Sequence, residues 1–191
     1  FLPGKLLWYA ENEPDLYEKT AYFLQVSSYL NYKLTGIFSC DIDQSLRTQC
    51  MDVRTQDWSP EIAAAADVDL KEKMPALFSI DDVIGEVTKE AAQQTGLMPG
   101  IPVLAGCSDA MASMYATGIS RSGEAGESSG TTSLVFVGSE VPGAPDDPVT
   151  ARPCAIKGIP WVFDAPIQSS GAALKWYIDT IAQEERAYAK E

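Results

Sequence analysis

Asp109 occupies the position in this sequence at which a side chain could most directly do chemistry. It follows an apolar run, residues 101–106, that is typical of a buried strand, and it precedes a segment, residues 110–117, that predicts a closely packed helix. A carboxylate at the carboxyl end of a strand lies where open α/β sheets bind ligands, and there it could act as a general base for a hydroxyl group. The simpler interpretation is that Asp109 only caps the following helix, and spacing alone leaves both open.

Gly130, Thr131 and Thr132 form the second candidate for chemistry. They lie between two predicted strands, residues 123–127 and 132–137. Backbone N–H groups of small residues can approach anionic oxygens closely, and a threonine hydroxyl adds a donor, so the segment could bind phosphate. It is not a Walker A motif, because no Gly-Lys-Ser/Thr follows it. The simpler interpretation is an ordinary hairpin turn, which also remains open.

Two further motifs are weaker. Residues 126–130 match the G-x-S-x-G pattern of serine hydrolases, but that site needs a base and a helix after the serine. The sequence has no histidine and predicts a strand there, which argues against a hydrolase. Asp41 and Asp43 could pair as metal ligands or as an acid/base dyad, but the irregular stretch 37–52 favours a solvated polar loop.

The composition excludes several classes of function. The 191 residues include 27 acidic and 14 basic side chains, so the net charge is −13 and phosphate backbones would repel the chain. We therefore expect no nucleic-acid partner and no basic helix on a membrane surface. Without histidine, and with four cysteines that form no Cys-x-x-Cys pair, the sequence predicts no metal site within the chain. Reduced, mostly buried thiols and the lack of a long apolar run predict a cytoplasmic protein.

The remaining sequence predicts the elements that must position these candidates. Ser59 and Ser170 are expected to cap helices at their N-termini, and Gly36 and Gly96 to end helices. Mixed helices and strands indicate an α/β fold, with a seam between domains near residues 118–123. We predict a helical pattern over residues 14–34, with a second helical piece over residues 27–34, and helices over residues 61–66, 88–95, 110–117 and 171–185. We predict strands over residues 81–87, 101–106, 123–127, 132–137 and 161–165.

Several segments, taken in order along the chain, resemble the FGGY family of carbohydrate kinases, and its xylulokinase-like members most. The family's K-L-L-W-x-x-x-N-x-P, Y-L-x-x-x-L-T-G, A-S-R-T, G-x-x-D and G-T-S/T motifs are similar to segments that span nearly the whole sequence. Those segments are residues 5–14, residues 29–36, Ser45-Leu46-Arg47-Thr48, residues 105–109 and Gly130-Thr131-Thr132.

The resemblance implies a fold, a reaction and site residues. The fold would be α/β and ribonuclease-H-like (actin-like), with residues 1–118 as the remainder of an N-terminal sugar-binding domain and residues 119–191 as the beginning of a C-terminal nucleotide-binding domain. The reaction would be transfer of a phosphoryl group from ATP, with Mg²⁺, to a sugar or polyol, preferably a pentulose such as xylulose. Asp109 matches the family's catalytic base, and Gly130, Thr131 and Thr132 match its phosphate loop.

Asp109 and Ala110 would both contact the substrate. Glycerol kinases carry a glutamine at the position of Ala110, so the resemblance argues against glycerol as the substrate. The resemblance is also compatible with a homodimer of the full-length protein.

The sequence departs from the family in length. Family members are much longer, and their N-terminal D-x-G-T hairpin, early sugar-binding residues and late glycine-rich adenosine motif do not occur here. We therefore expect a central fragment that is inactive alone. The alternatives are a non-catalytic sugar-binding or interaction module of the same fold and a different actin-like ATPase. The residues at 29–36 and 45–48 argue against the latter.

Overall fold

The computed structural model describes residues 2–144 and 149–188. The chain forms two compact units: unit 1 ends at Ser108, and unit 2 begins at Asp109. The sequence predicts the seam ten residues later, near residue 118, because it assigns helix 110–117 to the first domain. The proposed boundary between family domains at residue 118 stays a prediction.

Unit 1 contains short helices interleaved with short strands. Its helices are α1 (Leu2–Asn12), α2 (Pro14–Lys19), α3 (Val26–Thr35), α4 (Ile42–Thr48), α5 (Pro60–Ala65), α6 (Leu70–Lys73) and α7 (Lys89–Thr95). Its strands are β1 (Ser39–Asp41), β2 (Met51–Asp52), β3 (Asp57–Trp58), β4 (Ala76–Phe78), β5 (Val83–Glu86) and β6 (Pro102–Leu104).

The strands of unit 1 pair two by two. β1 and β4 are parallel, with Cys40 opposite Leu77. β2 pairs with β3, and β5 with β6, both antiparallel, and the β5–β6 register is irregular between Val83 and Gly85. The predicted buried strand before Asp109 is β6, but Leu104 is 51% exposed, so the prediction of burial is wrong.

Helix ends in unit 1 follow the capping residues of the sequence. Ser59 accepts a hydrogen bond from the N–H of Ile62 at the start of α5, as predicted. Gly36 and Gly96 end α3 and α7 with φ of 77°, a left-handed conformation that glycine adopts without strain. One core cluster of this unit consists of Leu6, Cys50, Val68, Leu70 and Met74.

The helical pattern of residues 14–34 forms two helices, and the predicted second piece, residues 27–34, lies within α3. After α2 the chain is extended, and the N–H of Phe23 donates to the Lys73 carbonyl at 2.8 Å. The Nζ of Lys73 donates to the carbonyls of Tyr17 at 2.8 Å and Thr20 at 2.7 Å. These contacts satisfy the backbone where a continuous helix would have satisfied it locally.

Unit 2 packs helices with one antiparallel sheet. Its elements are α8 (Asp109–Ala116), β7 (Ala125–Ser129), β8 (Ser133–Ser139), β9 (Thr150–Pro153), β10 (Trp161–Ile167), α9 (Ser170–Thr180) and α10 (Gln183–Tyr188). The strand order is β7-β8-β10-β9. Its fully buried side chains include Met111, Met114, Phe136 and Val162.

The sequence missed β9, which carries Arg152 and Pro153 and pairs only with β10 at one edge of the sheet. Pro is tolerated in an edge strand because it cannot donate to a second neighbour. The predicted helix 171–185 is split into α9 and α10. None of the helices in the described part of the chain is both long and apolar enough to cross a membrane.

Candidate active site

Unit 2 holds a pocket of about 440 Å³ between the start of α8 and the bend that joins β7 to β8. Asp109, Ala110 and Ser113 line it from α8, Gly130 and Thr132 line it from the bend, and Gln168 lies at the end of β10. The volume falls in the range of small-molecule sites. Hydroxyl, amide and carboxylate groups on its wall suit a polar ligand.

Asp109 is the first residue of α8, and its side chain is exposed. Its Oδ1 accepts a hydrogen bond from the N–H of Ala110 at 2.8 Å. The carboxylate is therefore oriented by the start of its own helix and still reaches the pocket. The structure thus makes Asp109 the first residue of the helix and not its cap, and Asp109 lines the pocket.

The bend itself is compact and internally hydrogen-bonded. The N–H of Gly130 donates to the Thr132 carbonyl at 2.8 Å, so this donor is engaged within the bend. Ser129 and Ser133 pair directly below it and close the hairpin. Of the three residues predicted to bind phosphate, Gly130 and Thr132 line the pocket, whereas Thr131 does not.

The start of α9 rests on this bend. The N–H groups of Gly171 and Ala172 donate to the carbonyls of Gly130 at 3.1 Å and Thr131 at 3.2 Å. These bonds satisfy N–H groups that the first turn of a helix leaves unpaired. The predicted cap by Ser170 is wrong: α9 begins at Ser170, and Ser169 at the cap position makes no side-chain cap hydrogen bond.

Gly171 is a functional position that the sequence analysis missed. A Cβ atom added there would lie 2.1 Å from the Gly130 carbonyl oxygen, closer than two atoms can approach. The lack of a side chain is therefore what lets α9 sit against the bend. A glycine at the start of a predicted helix, where Ala would have better propensity, is the signal that could have found it.

Negative charge lies close to the bend. The Oε1 of Glu127 accepts a hydrogen bond from the Ser129 hydroxyl at 2.6 Å, and the hydroxyls of Ser129 and Ser133 lower the pKa of this carboxyl. Among the described residues that line the pocket there is no lysine or arginine.

The comparisons with known proteins identify the family. Residues 2–116, more than half of the chain, match the sequence model described as "FGGY family of carbohydrate kinases, N-terminal domain". The chain belongs to the FGGY family of carbohydrate kinases. This FGGY chain is 34% identical over 135 residues to the L-fuculokinase of Escherichia coli (strain K12), which covers 71% of this chain and 28% of that protein. It is 30% identical over 178 residues to the xylulose kinase of the same strain, which covers 92% of this chain and 36% of that protein.

A solved FGGY-type structure has the same fold. The crystal structure of the xylulose kinase from Rhodospirillum rubrum superposes with a TM-score of 0.81 at 28% identity, and the match covers 100% of this chain and 39% of that chain. The predicted α/β, ribonuclease-H-like (actin-like) fold is therefore confirmed. The chain spans about a third of the length of the curated relatives it matches.

Unit 1 of this FGGY chain buries the two aspartates that the sequence assigns to a solvated loop. Asp41 is 2% exposed and Asp43 1% exposed, so that prediction is wrong. Asp41 ends the buried strand β1 and caps α4, accepting the N–H of Gln44 at 2.8 Å. The spacing of an aspartate three residues before a glutamine resembles a capping box and is the signal that could have predicted the helix. Burial, and then the charge of Asp43, raise the pKa of Asp41 to about 6.

The four cysteines of the FGGY chain are free thiols, and Cys40, Cys50 and Cys154 are buried, as predicted. Burial, followed by the neighbouring charge of Asp41, raises the pKa of Cys40 to about 12. Burial also raises the pKa of the half-buried Cys107, with smaller contributions from the charges of Asp43 and Asp41. Among the described residues, no group of three or more acidic or cysteine side chains is placed to hold a metal ion.

Proposed function

We propose that the protein containing this FGGY segment transfers the γ-phosphoryl group of ATP to a hydroxyl group of a sugar or polyol. One observation carries the proposal: the exposed carboxylate of Asp109 and the bend residues Gly130 and Thr132 line the same pocket of unit 2. A base for the attacking hydroxyl and a contact for phosphate are needed within one small space. Family membership supports the same reaction class.

Asp109 is proposed as the general base. Phosphoryl transfer depends mainly on alignment and on stabilisation of charge, so a carboxylate of ordinary basicity suffices when proton transfer is late. The carboxylate accepts one hydrogen bond from Ala110 and remains exposed, which supports a role in receiving a proton from a bound hydroxyl. Ala110 beside it would contact the sugar through a small apolar surface.

The bend is proposed to hold the phosphates of ATP. Thr132, which lines the pocket, would contribute hydroxyl and N–H donors, while the Gly130 N–H stays within the bend. The carboxylates near the pocket and the absence of a lysine or arginine among its described lining residues favour ATP bound with Mg²⁺. Mg²⁺ usually retains several waters and is held by one or two carboxylates together with substrate phosphates, whose charge it neutralises. Oxygen-bearing side chains on the pocket wall fit that requirement.

A pentulose such as xylulose is the proposed acceptor. Two kinds of support exist: the similarity to the E. coli xylulose kinase extends over 92% of this chain, and the R. rubrum xylulose kinase shares its fold at a TM-score of 0.81. An L-fuculose-type ketose is the second candidate, because the L-fuculokinase has the higher identity, 34%, over a shorter span. The predicted homodimer and the predicted absence of a nucleic-acid partner stay predictions.

The test is ADP release by the full-length protein with a panel of ketoses and polyols that includes xylulose, fuculose and glycerol. Asp109→Asn should lower kcat by about 10²–10⁴-fold, the usual contribution of a general base, while ATP still binds. Asp57→Asn is the matched control, because Asp57 is also exposed and also accepts the N–H of the next residue at 2.8 Å. Asp109→Asn with near-normal kcat would refute the base. A wild-type protein that binds a ketose but releases no ADP would favour the non-catalytic module.

The 191-residue chain by itself is expected to release no ADP with any of these sugars. Robust turnover by this chain would refute the expectation that further parts of the protein complete the site.

A further inference from the structure

Two side chains of α4 converge on Ser108, the residue that directly precedes the proposed base. The Oδ2 of Asp43 accepts a hydrogen bond from the Ser108 N–H at 3.0 Å. The Nη2 of Arg47 donates to the Ser108 hydroxyl at 3.1 Å. Asp43 and Arg47 lie one helical turn apart, with Nε and Oδ2 separated by 4.0 Å. Backbone and side chain of Ser108 are thus held by one pair of oppositely charged groups.

This arrangement joins segments that are distant in sequence. Ser108 is 65 residues from Asp43 and 61 residues from Arg47. Asp43 is 1% exposed, whereas the Arg47 side chain is 49% exposed. A buried carboxylate is stable only when its oxygens are paired, so the Ser108 N–H is part of what allows the charge at this position. The hydrogen bond from Ser108 therefore involves a buried partner, not a surface one.

We propose that Asp43 and Arg47 are positioning residues for phosphoryl transfer, because they fix Ser108 and thereby restrict the residue bonded to it, Asp109. The inference rests on the proposed function, since it takes Asp109 as the base. Successive Cα atoms are about 3.8 Å apart across a planar peptide, so the Cα of Asp109 must stay at that distance from the Ser108 that these bonds hold. Misplacement of a reacting group by about 1 Å lowers a rate by about 10²-fold.

Asp41 shows that burial alone does not explain the role of Asp43. It is the neighbouring buried aspartate, but its hydrogen bond goes to Gln44 at the start of its own helix and not to Ser108. Asn is among the best capping residues, so Asp41→Asn removes a buried charge and keeps the cap. It is therefore the matched control for loss of a buried carboxylate in this cluster.

The test measures kcat, both KM values and amide exchange in the full-length protein for Asp43→Asn, Arg47→Met, Arg47→Lys and Asp41→Asn. Asp43→Asn should lower kcat by about 10²-fold while the KM values for ATP and sugar change by no more than about twofold. Hydrogen exchange at the Ser108 amide, followed by mass spectrometry of the peptide that contains it, should accelerate. Arg47→Lys should retain more activity than Arg47→Met, and Asp41→Asn should leave kcat and Ser108 exchange near wild type.

Equal losses of kcat for Asp43→Asn and Asp41→Asn, or unchanged exchange at Ser108 in Asp43→Asn, would overturn the proposal. Should Asp43→Asn fail to fold, the two Arg47 variants decide, because that side chain is half-exposed. Asp109→Asn in the same assays separates the two ideas. If it abolishes turnover and Asp43→Asn and Arg47→Met do not, only the positioning role fails. If Asp109→Asn retains turnover, the base assignment fails first and the positioning role falls with it.

Discussion

The contact between α9 and the bend predicts an unusual response to Gly171→Ala. Replacing Gly with Ala inside a helix normally stabilises it by about 0.5–1 kcal/mol, since Ala loses less conformational entropy. At Gly171 the added Cβ would lie 2.1 Å from the Gly130 oxygen and 3.1 Å from the carbonyl carbon of that residue. Gly171→Ala should therefore lower the free energy of unfolding, where the same substitution elsewhere in a helix would raise it.

The size of the effect follows from the displacement that is needed. Ordinary van der Waals contact begins at 3.4 Å, so the helix start and the bend must separate by more than 1 Å. That movement breaks the hydrogen bonds from Gly171 and Ala172, each worth about 0.5–1.5 kcal/mol. Overpacking of this kind typically costs about 1–3 kcal/mol. We expect the free energy of unfolding to fall by about 1–3 kcal/mol.

The assay combines urea unfolding of the 191-residue chain with the KM for ATP of the full-length protein. Gly171→Ala should raise the KM for ATP more than the KM for the sugar, because the bend moves. Gly138→Ala is the control: its Cβ would lie 3.0 Å from the Arg121 oxygen, at the other end of β8 from the bend. It should reduce stability without a selective effect on ATP. A Gly171→Ala protein that is as stable as wild type, or that raises the KM values of both substrates equally, would refute the reasoning.

Two other predictions concern unit 1. Because burial raises the pKa of Asp41 from 3.8 to about 6, its contribution to stability is present at low pH and is lost as the pH rises through about 6. The free energy of unfolding in urea should therefore decline across this range, and the decline should be flatter in Asp41→Asn. Parallel pH curves for the two proteins would contradict the assignment. Cys40, buried and with a pKa of about 12, should resist a thiol reagent at mildly alkaline pH in the native chain, and all four cysteines should react after unfolding; rapid native labelling of Cys40 would contradict its burial.

Local signals in the sequence predicted most of the helices and half of the strands in the described residues, because these elements depend on residues close together in the chain. Ser59 caps α5, Gly36 and Gly96 end their helices, and the β7–β8 hairpin lies on either side of the small residues 130–132. The sequence also predicted Asp109, Ala110, Gly130 and Thr132, which the structure gathers around one pocket. The roles of these residues stay predictions.

The missed features depend on contacts between distant residues. Lys73 binds carbonyls more than fifty residues earlier, at the end of α2, where the helical pattern of residues 14–34 is broken. Ser108 donates to the buried carboxylate of Asp43, and no pattern near residue 43 contains that partner. Gly171 matters because of Gly130, 41 positions before it. Periodicity and capping rules use only residues that are close together in the chain, so they do not predict contacts between distant residues.

The hairpin of β7 and β8 also restricts how this part of the protein can evolve. Neighbouring side chains of a strand point to opposite faces, and the pairing of Ser129 with Ser133 fixes that alternation for both strands. Insertion or deletion of a single codon within β8 would exchange its inner and outer faces and turn Phe136 out of the core. Amino-acid replacements at the exposed tip leave the alternation intact. Natural selection is thus expected to conserve the length of this hairpin in addition to the residues of its tip that line the pocket.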